Sequence, residues 1–482
     1  MSRAAFPTPP RRPIWTGMPD LTRRSTIAAA LTLPTAARVS AQGAAPLPGA
    51  GQPSSGSTSP AERPLFGAKT WTLGNGLRVV LDENHRAPVV AHYVFYGAGS
   101  GEDPGQLSGI AHFMEHMMFK GSGNVPSGDF SRLVAREGGQ DNAFTSRDAT
   151  AYYQHIESSR LALMMRMEAD RMAGPAFNPD EFEAERNVVL EERRQVIESQ
   201  PRSLFRESFD AAMYGRQHWR GRPIIGWPEE IRAISRQDML DFFAARYAPS
   251  NAILLLAGDV TEARARELAE ATYGLVPPRP FTPRDRAAMP ATAAQDRIEV
   301  KERATREAIF TRTIAAPSLT WGETRHAYPL DVLAHILGGG TGSRLHRALV
   351  EAGLAVSGNA SYDGETAGAA QFTLSATLRA PTTTVSLEAA VLAEVKRVLD
   401  DGVTEAETAR AIRQQTAGTL LSLDGLGAAN RVLGGVLTLG LPIEEAEYWP
   451  ARLRAVTTAQ VNEAARAVLP GALATTGWLL PA

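Results

Sequence analysis

The stretch Gly109-Ile110-Ala111-His112-Phe113-Met114-Glu115-His116-Met117-Met118-Phe119 sets two histidines four residues apart, with a glutamate just before the second. Apolar residues recur through it at helical spacing, so a helix over 107–119 is expected. Residues four apart on a helix project from one face, and both imidazoles can then reach a single cation. Glu115 falls at the edge of that face, where a carboxylate can hold water without ligating the metal itself. The neighbouring residues are apolar, and polar groups set among them are costly without a metal or partners. The chain has no cysteine, so a metal here must be held by histidine and carboxylate. One Zn2+ per chain is expected, with Glu115 as the base that takes a proton from water while a carbonyl is attacked.

A catalytic zinc needs a third protein ligand and an open position. The helical stretch 179–198 offers candidates in Glu185-Arg186-Asn187-Val188-Val189-Leu190-Glu191-Glu192. Periodicity groups Glu192 with Val188, Val189 and Val196, and Glu191 with Asn187, Arg194 and Gln195. A carboxylate on an apolar face needs a reason, so Glu192 is the expected ligand and Glu191 a solvated surface charge. Glu185, two turns earlier on the same face, is placed to orient the site from behind the ligands.

Outward from this pair of helices, Asn75-Gly76 between the apolar alternations of 71–81 signals a hairpin. Further strands are expected over 89–96, 150–156 and 253–256, and helices over 129–137, 158–171 and 262–273. Met164, Met165, Met167 and Met172 read as core filler on one of these helices. The segment 276–297 carries five prolines and little periodicity, which marks a linker between domains 65–275 and 298–482. The second segment has its own strands (308–313, 370–378) and helices (326–337, 343–351, 386–400, 405–423). Gly338-Gly339-Gly340-Thr341-Gly342 has no following lysine and reads as a turn rather than a phosphate loop. The other seven histidines show no ligand spacing.

At 482 residues the chain is long enough for two full cores. A net charge of -2 gives no electrostatic reason to expect nucleic acid. No apolar run reaches the ~18 residues of a membrane span. Near the start, Arg23-Arg24 precede the apolar stretch 27–37, and Val39-Ser40-Ala41 offers a cleavage site before Gln42. This resembles a twin-arginine export signal, implying a periplasmic protein with a signal over 1–41 and a Gly/Pro/Ser tether over 42–64. Met18 is an alternative start.

The motif His112-x-x-Glu115-His116 with the later Glu192 resembles the pitrilysin and mitochondrial-processing-peptidase family of zinc peptidases, the inverzincins. The likeness extends over Gly97–Gly121, and Gly338-Gly339-Gly340 with Ser343-Arg344-Leu345 is similar to a stretch of that family's second domain. Asn142-Ala143-Phe144-Thr145 and Thr150-x-Tyr152 resemble its edge strand, which implies substrate binding by strand addition along 142–145. The resemblance implies an α+β fold of two homologous domains, each a mainly antiparallel sheet packed on helices. It also implies an endopeptidase acting on peptides or extended polypeptides. One segment departs from the family: Leu349-Val350-Glu351-Ala352-Gly353-Leu354-Ala355-Val356 has valine where the family places an arginine and again where it places a tyrosine. Arg347, one turn earlier, is the nearest substitute. The departure implies a heterodimer in which a homologous subunit supplies the Arg/Tyr pair, with a homodimer as the alternative. A non-catalytic polypeptide-binding subunit is the alternative function.

Overall fold

Two runs of short alternating strands build two sheets in the computed structural model, which describes residues 63–482. The segment expected to be an export signal, and the tether up to residue 62, lie outside the described residues. The first sheet contains β1 (Lys69–Thr72), β2 (Arg78–Glu83), β3 (Val89–Tyr96), β4 (Gln140–Thr145), β5 (Thr150–Glu157) and β6 (Ala252–Gly258). Their order is β1-β2-β6-β3-β5-β4. The second contains β7 (Arg297–Glu302), β8 (Ile309–Ala316), β9 (Ala355–Tyr362), β10 (Ala370–Leu378) and β11 (Ala474–Pro481), in the order β7-β11-β8-β10-β9. All pairs are antiparallel except β2 with β6 and β7 with β11, so each sheet is mixed by one parallel pair. The Asn75-Gly76 signal does join an antiparallel pair, Trp71 opposite Val79. Residues 276–296 hold neither helix nor strand.

Alternation along the strands gives each sheet two apolar faces. On the first sheet, Val79, Leu81, Val94, Leu254 and Leu256 face the helices Ile110–Met117, Leu161–Ala173 and Pro179–Arg193. The four methionines of the Leu161–Ala173 helix are buried. The opposite face, with Val80, Tyr93, Phe95 and Leu255, is covered by Ala429, Leu433, Val436 and Leu437 of the helix Ala428–Thr438, from the far end of the chain. Asn430 on that helix donates to the Ala91 carbonyl at 2.9 Å. The second sheet is treated the same way. Phe310, Phe372, Leu374 and Trp478 pack on its own helices, while Ile298, Val300 and Leu479 meet Phe205, Phe209 and Met213 of the helix Pro201–Tyr214 from the first half. Each half thus lends a helix to the other's sheet.

Several expected elements shift. The helix expected over 343–351 is mostly a π-helical turn, His346–Glu351, and that over 179–198 ends in a π turn after Arg193. Val188, grouped with Glu192 as part of an apolar face, is 48% exposed, while Val189 beside it is fully buried. The apolar face is therefore centred on Val189 and Leu190, and Glu192 stands at its margin.

Candidate metal centre

The motif helix is fastened at its start. Gly109 adopts φ +91°, and a Cβ there would lie 2.4 Å from the Ile225 carbonyl oxygen, so a side chain is excluded. The Asp103 carboxylate accepts the N–H groups of Gly109 (2.7 Å) and Ala111 (3.1 Å), a negative group at a helix N-terminus. Burial pushes the Asp103 carboxyl up to about 7, against the opposing pull of Arg222 and those two N–H groups. Ile110, Ala111, Phe113, Met114 and Met117 are buried against the sheet, which leaves His112, Glu115 and His116 on the remaining face.

That face meets the helix Pro179–Arg193. Glu192 Oε2 lies 3.6 Å from His112 Nε2 and 3.2 Å from His116 Nε2. The three side chains form the one group among the described residues whose candidate ligand atoms all lie within 4.8 Å of one another. Ligands about 2.1 Å from a tetrahedral zinc are separated by about 3.4 Å, which matches these spacings. Glu192 Oε2, the oxygen that faces both rings, is a buried atom without an aligned hydrogen-bond partner, an arrangement that is costly unless something else satisfies it. Two imidazoles and a carboxylate form a donor set suited to zinc. The residues present fit the ion.

The electrostatics fit as well. Burial, with the His116 charge beside it, holds His112 down to about 4, so its ring is neutral and free to ligate. Burial works against a charged His116, but close contacts with the Glu185 and Glu192 carboxylates outweigh it and lift the ring to about 9. Glu192 is lowered, because His116 and His112 more than offset its burial. Glu185 Oε1 sits 2.8 Å from His116 Nδ1, which directs Nε2 towards Glu192. Lys120 Nζ lies 2.5 Å from the other Glu185 oxygen. Burial opposes ionisation of Glu185, but these two partners outweigh it and lower its pKa. Sequence reasoning did not single out Lys120, which lies past the end of the motif helix at Met117, where helical spacing no longer tells which way a side chain points. Glu191 is exposed and paired with Arg194.

Glu115 is raised to about 7 by burial, with His116 and a hydrogen bond from Thr145 pulling the other way. β4 forms the sheet edge beside the motif helix and pairs only with β5. Its alternation turns Ala143 into the core under that helix and Phe144 to the opposite face. The Ala143 N–H donates to the Asn142 side-chain oxygen at 2.8 Å. Thr145, grouped with the substrate-binding strand on sequence grounds, points its hydroxyl at Glu115. In the second half Val356 is 48% exposed on the edge strand β9. Arg347 sits 3.6 Å from Glu407.

Residues 78–226 match the insulinase family (peptidase family M16), and residues 233–415 match the peptidase M16 inactive domain. The border between these matches precedes β6, which the fold nonetheless inserts between β2 and β3 of the first sheet. A protein described as an uncharacterized zinc protease of Mycobacterium leprae is 30% identical over 408 residues, covering 83% of this chain and 88% of that protein. The zinc protease PqqE of Helicobacter pylori is 32% identical over 292 residues, 58% of this chain and 63% of its own. The crystal structure of a protease from Helicobacter pylori shares the fold, with a TM-score of 0.80 at 24% identity over 87% of this chain and 100% of that one. The chain belongs to the M16 peptidase family.

Proposed function

We propose that this chain is a zinc-dependent endopeptidase that hydrolyses peptides or extended polypeptides in the periplasm, completed by a related partner chain. The observation that carries the reading is the meeting of His112, His116 and Glu192 around one point with Glu115 alongside. A zinc ion held by these three side chains supplies Lewis acidity, which polarises a carbonyl and makes water acidic near neutral pH. Glu115, lifted to about 7, is poised both to take a proton and to return it. It accepts the proton of the attacking water as the C–O bond forms, then delivers it to the leaving amine as the C–N bond breaks. Glu185, held by Lys120, keeps the His116 ring oriented. An extended substrate adds to the open edge of β4, which runs it past Glu115. For a strand to bond there, Asn142 must give up the Ala143 N–H.

Valine at 350 and 356 leaves the second half without the arginine and tyrosine expected of the family, and Arg347 is a half-exposed side chain 3.6 Å from Glu407. This favours a heterodimer whose other chain supplies those groups to the developing oxyanion. The test compares wild type with Glu115→Gln for zinc content and for cleavage of an unstructured peptide, each with and without a co-expressed homologue. Retained zinc with cleavage abolished in the variant supports the reading, and undiminished cleavage in Glu115→Gln refutes the role of the base. Full activity of the isolated wild type removes the partner. A zinc-loaded wild type that binds polypeptide and cuts nothing in either setting is instead a non-catalytic subunit.

A further inference from the structure

The strand alternation that sends Phe144 to the outer face turns Thr145 onto the motif helix. Thr145 Oγ1 lies 2.6 Å from Glu115 Oε2 and donates to it. Thr150 is its direct neighbour across the last pair of β4 and β5. The two hydroxyl oxygens are 3.2 Å apart, and Thr150 Oγ1 donates to the Ala98 carbonyl at 2.7 Å. Both threonines are buried, at 3% and 0% exposure. The turn joining them is held from outside: Arg286 of the linker reaches Asp148 Oδ1 at 2.6 Å and the Arg147 carbonyl at 2.8 Å.

A hydroxyl carries one hydrogen and accepts through its lone pairs. With the Thr150 hydrogen on Ala98, Thr145 can give its own to either Glu115 or Thr150. When Glu115 is a carboxylate, Thr145 donates to it. When Glu115 has taken a proton from water, the carboxylic acid donates to Thr145, and Thr145 donates onward to Thr150. The exchange needs only rotation of O–H bonds, so the carboxyl group keeps its place.

We propose that Thr145 is a positioning residue for Glu115, and that Thr150 is the acceptor behind it that lets Thr145 hold this carboxyl group in both forms it passes through during turnover. The inference rests on the peptidase reading. It gives the Thr145 side chain to the base rather than to substrate, while the backbone of β4 remains available as the sheet edge.

The experiment compares Thr145→Val, Thr145→Ser, Thr150→Val and the double valine variant in the full chain, with its partner if one is required. Zinc content, thermal midpoint, kcat and KM are measured on an unstructured peptide. Thr145→Val is expected to lose about 10- to 100-fold in kcat, the scale of a hydrogen bond to a charged group, with KM and zinc content unchanged. Thr145→Ser should recover most of the rate. Thr150→Val should fall less, and the double variant no further than Thr145→Val, because Thr150 acts through Thr145. An unchanged kcat in Thr145→Val, a serine variant as poor as valine, or strictly additive losses would overturn the proposal. If the wild type cleaves no peptide, it is the peptidase reading that fails. Calorimetric binding of a dipeptide hydroxamate to the zinc-loaded chain then decides the threonines: weaker binding in Thr145→Val with recovery in Thr145→Ser supports their role, and equal binding in all variants overturns it.

Discussion

Loading the metal-free chain with Zn2+ at pH 7 is expected to release about one proton per ion, and the source is His116. Its contacts with Glu185 and Glu192 lift the ring to about 9, so two pH units lower only about one ring in a hundred is neutral. Zinc takes the neutral imidazole, so binding must expel that proton. His112, held down to about 4, has none to give at pH 7. Glu115, pushed up to about 7, adds at most about half a proton more. The sign follows from where the proton sits: it is bound in the free chain and lost in the loaded one, so affinity rises with pH. Apparent affinity should gain about tenfold per pH unit up to about pH 9, and at pH 7 stand about 100-fold below its alkaline limit. Titration calorimetry in two buffers of different ionisation enthalpy reads the proton count directly. Glu185→Gln removes one contact that lifts His116, so the count at pH 7 should fall in that variant while the metal is held about 10- to 100-fold more weakly. A heat independent of buffer at pH 7 in the wild type would mean that His116 is already neutral or is not a ligand, and the electrostatic account of the site would fail.

Glu192→Gln keeps the side-chain volume but removes the anionic ligand; zinc affinity measured by chelator competition should fall at least about 100-fold with the circular dichroism unchanged. Leu433→Ala, at a position 1% exposed against the outer face of the first sheet, should cost about 2–5 kcal/mol and lower the midpoint of one shared thermal transition. A calorimetric trace in which one half melts unaffected would contradict the coupling between the halves. Replacing Arg23 and Arg24 by lysine should leave the precursor in the cytoplasm, seen by fractionation as a larger, uncleaved species; continued export of the variant would refute the twin-arginine route.

The grouping of the candidate metal ligands was legible because their spacing is local. His112, Glu115 and His116 lie within one turn of one helix, and the spacing alone decides which face they share. Periodicity favours Glu192 over Glu191, and the structure brings Glu192 to the histidines, although Val188, on the same side of the helix by that periodicity, is exposed. Helical periodicity identifies an apolar face but does not say how far the opposing surface extends, so it does not fix where that face ends. The strands of the hairpin at Asn75-Gly76 and of β10 were readable from alternation and turn chemistry. The lent helices were not. The Pro201–Tyr214 and Ala428–Thr438 helices each have an apolar face, but nothing in that pattern names the sheet it will cover. The same limit hid the duty of Thr145: alternation tells which side of β4 it faces, whereas the identity of the group waiting there depends on how the motif helix docks.

The lent helices bear on how such a chain is inherited and handled. Cutting it anywhere between residues 276 and 296 severs no helix or strand, yet each fragment would carry off the cover that its counterpart's sheet requires. Separate expression would leave aromatic and aliphatic surface bare on both pieces, inviting precipitation. Co-expression should instead let the pieces rejoin without a peptide bond between them. A gene for this protein is therefore expected to tolerate a break at that point but not the loss of either half.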